Sequence, residues 1–150
     1  MAQEISENAK KLNRKLHETC INHRFAHYLE NELFDTDYED YNVDIEYNRF
    51  YGNLKMLNTI EGQLSVRPDI IIHSRVDETF KPQHLLVVEA KKEAISNHDI
   101  NKIKGFISDN NYNYVFGLTV SYCSNETNVL ATLYYFNGTD IINENINKEK

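Results

Sequence analysis

The sequence predicts an α/β domain in which a mixed central sheet is flanked by helices. Three observations predict it. The amino-terminal third has helical apolar spacing and no Pro or Gly before Gly52, and short β-rich runs fill the middle. A second helical stripe, Ile100, Ile103, Phe106 and Ile107, then separates these runs from two further β-rich runs. The resulting order is helix, three strands, helix, strand, strand. Helices set between strand groups place their apolar stripes on both faces of one sheet.

In the first helical stretch Ile5, Ala9, Leu12 and Leu16 follow helical spacing, and so do Ile21, Phe25, Tyr28 and Leu29. At about 100° per residue the two sets point in nearly opposite directions, so a break or change of face is expected near residues 16–18. The second set is expected to pack on the sheet. Glu18 lies on its face, because the positions 3, 7 and 11 residues on are Ile21, Phe25 and Leu29. A carboxylate is thereby aimed toward the core side.

An acidic loop (Asp35, Asp37, Glu39, Asp40) leads into Val43-Asp44-Ile45-Glu46-Tyr47, which alternates as a half-buried strand does. Residues 48–63 contain Gly52, Asn53 and Gly62 and read as a loop, extended or with one helical turn at 54–57. The second strand covers 65–73, with Pro68 near its start, where a missing donor is tolerated at a bulge or an unpaired position. A turn over 76–83 joins it to the third strand, 84–91, and so short a connection makes the pair antiparallel. Asn97 is read as the cap of the second helix. Residues 114–121 and 129–136 form a hairpin around the polar Ser124-Asn125-Glu126-Thr127-Asn128, and the tail from Asn143 is expected to fray.

At 150 residues the chain fits one domain, 1–150, with its core over about 18–136. Apolar residues at 41% and charged residues at 26% exclude a disordered chain. No apolar run approaches the roughly 18 residues of a membrane span, and the start lacks a basic segment followed by an apolar one, so a cytoplasmic protein is expected. Cys20 and Cys123 lack metal-ligand spacing and are read as buried thiols. The net charge of −7 argues against generic polyanion binding by the whole chain. Lys91, Lys92, Lys102 and Lys104 form a local basic group, for which a solvated helix face is the favoured reading.

Two strings carry the chemistry. Arg67-Pro68-Asp69 precedes Ile70-Ile71-Ile72, and Glu89-Ala90-Lys91 follows Leu85-Leu86-Val87-Val88, with nineteen residues between Asp69 and Glu89. A carboxylate beside a buried strand needs a compensating cation or hydrogen bonds, because desolvating the ion costs several kcal/mol. A divalent metal is the simplest compensation. Strand alternation sets Glu89 and Lys91 on one face and Ala90 on the other, and Asp69 reaches Glu89 if the second strand pairs beside the third. Asp69, Glu89 and the Ala90 carbonyl are oxygen ligands suited to Mg²⁺, with Glu18 as a further ligand from the helix. Lys91 then lies beside a metal-bound water, where its ammonium orients the nucleophile or stabilises charge on a phosphate.

Pro68-Asp69 with Glu89-Ala90-Lys91 resembles the PD-(D/E)xK nuclease superfamily, whose restriction-endonuclease-like core has the order αβββαβ. The stretch around Glu18, His23, Arg24, Phe25 and Ala26, the strand 43–49 and the segment 112–114 are similar to a group of small bacterial and phage proteins of that superfamily. The resemblance covers about 18–136. It implies Asp69 and Glu89 as ligands of Mg²⁺ or Mn²⁺, Lys91 as the group assisting the attacking water, Glu18 as an added ligand, and phosphodiester hydrolysis, of DNA more than RNA. Members without hydrolysis imply the alternative of a binding or scaffolding module, in phage or host-defence biology. The acidic balance and the lack of a separate recognition domain imply a homodimer or a protein partner.

Rival readings attach to neighbouring residues. Glu30 is second to Glu18, lying about 120° from its stripe, and Glu46 is either a solvent-side acid or a support to the site. His23 and His27, four residues apart, would chelate a transition metal in a histidine-ligated hydrolase, but they point away from the apolar stripe and read as surface residues. Tyr47, Tyr112 and Tyr114 would stack on bases, although packing at strand ends is the favoured reading.

Overall fold

Helix α1 (Ala2–Leu33) runs unbroken through positions 16–18, so of the break or change of face expected there the break does not occur. With no Pro or Gly and many good helix formers, the chain changes its apolar face without leaving the helix. The computed structural model describes residues 2–46, 49–50, 53–54, 56–75, 81–122 and 129–146, with side chains from Glu18 onward except at 49–50 and 53–54. Within α1, Ala26 is buried and Phe25 and Leu29 pack beside it, as the second stripe requires, whereas Tyr28 is exposed.

Strand β1 (Asn42–Ile45) ends before Glu46, which takes φ 48°, and Tyr47 lies outside the described residues. The expected loop instead holds two hairpins, β2 (Arg49–Phe50) with β3 (Asn53–Leu54) and β4 (Met56–Thr59) with β5 (Gly62–Ser65). Met56 and Leu57 are strand, not a helical turn, because alternation buries Leu57 completely and leaves Met56 exposed. The second long strand is also shorter than expected. Residues 66–69 leave the ladder and β6 (Ile70–His73) starts after the buried Pro68, which has no N–H to pair.

Strand β7 (His84–Lys91) has the expected bounds and lies antiparallel to β6, with Ile70 opposite Val88 and Ile71 opposite Val87. Helix α2 (Asn97–Ser108) is capped by Ser96 and not by Asn97. It leads to β8 (Phe116–Ser121), which runs parallel to β7 and pairs Thr119 with Glu89. Strand β9 (Leu130–Phe136) is antiparallel to β8, and residues 123–128 of the connecting turn lie outside the described residues. The tail does not fray at Asn143: β10 (Ile141–Asn145) pairs with β9. Its turn is made by Gly138 at φ 100° and by the Asn137 side chain, which accepts from the N–H groups of Thr139 and Asp140.

The six-stranded sheet has the order β1-β6-β7-β8-β9-β10 and is mixed. Alternation splits its side chains into two cores. Ile70, Val88, Ala90, Leu118 and Val120 pack with Ala26 of α1, while Ile71 and Val87 pack with Ile103, Phe106 and Ile107 of α2. Glu89 and Lys91, in step with Val87, therefore face α2. The helix comes very close here. A Cβ on Gly117 would lie 2.4 Å from Ile103 Cγ2, and one on Gly105 would lie 3.1 Å from the Asn58 carbonyl, so both glycines let α2 settle between β8 and β4.

Tyr112 and Tyr114 are buried in this second core, and the Tyr112 hydroxyl donates to the Met56 carbonyl at 2.5 Å, which fits packing and not base stacking. Cys20 is exposed, correcting its expected burial, because it falls outside the sheet-facing stripe, and Cys123 is outside the described residues. Among the described residues no helix is long and apolar enough to cross a membrane.

Candidate metal site

The end of β7 gathers the acids. Pairing between β6 and β7 stops at Ile70 and Val88, and beyond it the Asp69 side chain replaces the backbone partner: the Ala90 N–H donates to Asp69 Oδ2 at 2.8 Å. The Asp69 carbonyl is meanwhile taken by the Glu46 N–H at 3.0 Å. A strand residue points its N–H and C=O to the same side, so the Ala90 carbonyl opens toward Asp69 as well.

Glu89 is buried, 3% exposed, among Val87 and the residues of α2. Lys102 Nζ of α2 lies 2.9 Å from Glu89 Oε1, yet its approach is not aligned as a hydrogen bond and that buried oxygen has no hydrogen-bond partner. Burial, followed by the nearby Asp69 charge, pushes the Glu89 carboxyl up to about 7 against the pull of Lys102. Asp69 is raised too, by burial, while the Ala90 N–H and Lys102 oppose the rise. The Asp69 charge thus disfavours ionisation of Glu89, while a side-chain hydrogen bond with Glu89 favours that of Asp69, and the two carboxyls share one corner of the sheet.

Lys91 does not stand free beside them. Its ammonium lies 3.0 Å from Asp99 Oδ1. Asp99 is itself fixed by the first turn of α2: Oδ2 accepts from the Ser96 N–H at 2.9 Å and from the Ser96 hydroxyl at 2.8 Å, and Ser96 Oγ accepts from the Asp99 N–H. Burial works against the Lys91 charge, but Asp99, Glu89 and Asp69 outweigh it and hold its pKa above the ordinary lysine value. Lys91 is therefore a cation at neutral pH and not a base.

Glu18 reaches the same corner from the α1 side, where its Oε1 accepts from the Lys92 N–H at 3.2 Å and its charge is felt by Asp69. Tyr122 stands beside it, with its hydroxyl donating to Asn22 Oδ1 at 3.0 Å. Burial, then the charges of Asp69 and Glu18, push that phenol up to about 12. The expected residues Glu18, Asp69, Glu89, Ala90 and Lys91 are thus neighbours. Among the described residues, however, no three His, Cys, Asp or Glu side chains close on a common metal-holding position, so Glu18 is adjacent to Asp69 and Glu89 without forming a triad with them.

The rivals lie elsewhere. Glu30 and Glu46 are exposed, as are His23 and His27. A cavity of about 690 Å³ is lined by Thr19, Cys20, Ile21, His23, Arg24 and Ile45 and contains none of the carboxylates. Sequence reasoning missed Asp99 and Tyr122, and it favoured a solvated helix face for Lys102, whose side chain is mostly buried against Glu89. One signal was available: Asp99 sits four and seven residues before Ile103 and Phe106, in line with the apolar stripe and three residues after a capping Ser.

The donor set fits a hard divalent cation. Oxygen atoms of Glu18, Asp69 and Glu89 lie in one corner, and the buried Glu89 Oε1, close to the Lys102 ammonium but without an aligned hydrogen bond, sits beside a second carboxylate. Compared with known proteins, no family model matches the chain, and no curated protein or solved structure matches it either.

Proposed function

We propose that this chain is a metal-dependent nuclease of the restriction-endonuclease-like class, hydrolysing phosphodiester bonds of DNA in preference to RNA. The observation that carries the reading is the meeting of Asp69 and Glu89 at one end of β6 and β7, with Lys91 two residues on and on the same side as Glu89. The topology supports it. Helix α1, the antiparallel strands β1, β6 and β7, the crossover helix α2 and the parallel β8 follow the order αβββαβ.

Asp69, Glu89 and the Ala90 carbonyl would hold Mg²⁺ or Mn²⁺, with Glu18 nearby, and the ion would supply a water of lowered pKa and a polarised phosphoryl oxygen. Lys91, charged and half exposed, orients the water and stabilises the phosphate's developing charge. Asp99 holds Lys91 in place. Lys102 neutralises Glu89 when no ion does so. The Tyr122 hydroxyl, kept neutral and donating to Asn22 Oδ1, adds no charge beside the acids.

A second reading has its own support. Both lysines already carry carboxylate partners, so the site is largely neutralised by the chain itself, as in a binding or scaffolding module of the same fold. The test incubates the protein with plasmid, single-stranded DNA and RNA in Mg²⁺ or Mn²⁺, beside Asp69→Ala and Lys91→Ala. Cleavage lost in both variants supports the nuclease. No cleavage of any substrate, with no metal-induced thermal shift, contradicts it and favours the module.

A further inference from the structure

The continuous α1 carries a basic row that leads to the site. Positions 10, 11, 14 and 15, occupied by Lys10, Lys11, Arg14 and Lys15, lie eight, seven, four and three residues before Glu18. In an unbroken helix those offsets fall on the side of Glu18, within about 80° of it, whereas Ile5, Ala9, Leu12 and Leu16 fall on the opposite side. Glu18 in turn faces the corner that holds Asp69 and Tyr122. One helix side thus passes from residues packed on the sheet (Phe25, Leu29), through an acid at the site, to four basic positions. At a rise of about 1.5 Å per residue, the row begins roughly 4.5 Å from Glu18 along the axis and ends roughly 12 Å from it.

The charge distribution makes this row unusual. The chain has a net charge of −7, yet residues 10–15 contain four bases and no acid. Further out, Glu4 and Glu7 fall on the same side, so the basic stretch is bounded by acids at both ends. Glu7 also stands three and four residues before Lys10 and Lys11, the spacing of intrahelical ion pairs, which is the competing use of these lysines.

We propose that this side of α1 is the track along which the phosphates of a DNA strand run into the Asp69 and Glu89 site. The inference rests on the nuclease reading and extends it to the substrate's path. A local row of four cations supplies the electrostatic contact that the acidic chain as a whole does not, and it places the strand at the reacting corner without a separate recognition domain.

The test measures binding of a labelled DNA duplex by fluorescence anisotropy over a salt series, on an Asp69→Asn background so that the duplex stays intact. The variants are Lys10→Gln/Lys11→Gln/Arg14→Gln/Lys15→Gln, the partial Lys11→Gln/Lys15→Gln, and the exposed control Lys104→Gln. Gln keeps high helix propensity, and circular dichroism checks the fold. The fourfold variant is expected to bind at least about tenfold more weakly, with its salt slope reduced by about 3, the partial variant by about half of that, and the control by less than about twofold. With Asp69 intact, its Mn²⁺-induced thermal shift should match the wild type. Unchanged affinity and slope overturn the track and leave the row to intrahelical pairing, and so does a wild-type chain that binds no duplex. Tighter binding of RNA than of DNA overturns the assignment to DNA. The nuclease reading is judged separately: cleavage that survives with unaltered binding removes only the track, whereas absence of metal-dependent cleavage removes the reading beneath it.

Discussion

Asp99 Oδ1 lies 3.0 Å from Lys91 Nζ while Asp99 Oδ2 closes the capping box with Ser96, so the first turn of α2 sets the position of the lysine at the end of β7. One buried carboxylate thereby serves both helix initiation and the site. Asp99→Asn keeps the size and removes the charge. Cleavage is expected to fall about tenfold, equivalent to about 1.4 kcal/mol. The alkaline limb of its pH profile should move to lower pH, because Asp99 is the main group holding the Lys91 pKa up. A lower rate with an unmoved profile would leave Asp99 a purely structural role.

How much of this was legible in the sequence depends on which residues set each feature. β7 was read to its ends because an apolar run stops at a charge, and the packing stripe of α1 followed from Phe25 and Leu29. The two acids could be paired because strand alternation and a short connection are local properties. What lay over Glu89 was not legible: Lys102 belongs to a helix whose sideways placement depends on contacts of Gly117 and Gly105 with distant residues. Lys102 accordingly read as a solvated lysine, whereas its side chain is mostly buried against Glu89. The hairpin at β4 and β5 was hidden because a single buried Leu57 anchors it, and β10 because only its pairing with β9 orders a polar segment.

Glu89 burdens the fold in order to be available. Its carboxyl sits at about 7 against an ordinary 4.5, so the folded chain binds the proton more tightly than the unfolded chain does. The associated stability is complete below pH 4.5 and is lost as pH rises through 7. Glu89→Gln, which resembles the protonated form, should therefore be more stable than the wild type at pH 8 without metal, by roughly 1 to 3 kcal/mol, and equal to it near pH 4. Thermal melts at the two pH values check this. A variant less stable at pH 8 would contradict the assignment.

Lys102 is expected to behave as the ion's internal substitute. Lys102→Met keeps the apolar stem but leaves Glu89 beside Asp69 without its cation, at a cost of about 2 to 4 kcal/mol at pH 8. Mn²⁺ should recover much of that loss, so the metal-induced rise in melting temperature should exceed the wild type's. Equal shifts in the two proteins would show that Lys102 and the metal do not compete for Glu89.

Gly117 tests the placement of α2. An added Cβ would meet Ile103 Cγ2 at 2.4 Å. Gly117→Ala should therefore cost about 1 to 3 kcal/mol in denaturant unfolding. An unchanged unfolding midpoint would mean that the helix sits further from β8.

The most direct measurement is an anomalous-scattering map of crystals soaked in Mn²⁺. A manganese peak is expected within about 2.0 to 2.3 Å of carboxylate oxygens of both Asp69 and Glu89, with Lys102 displaced from Glu89 Oε1. Saturating Mn²⁺ that leaves Lys102 on that oxygen and produces no peak there, or a peak only at His23 and His27, would contradict the metal site and the nuclease built on it.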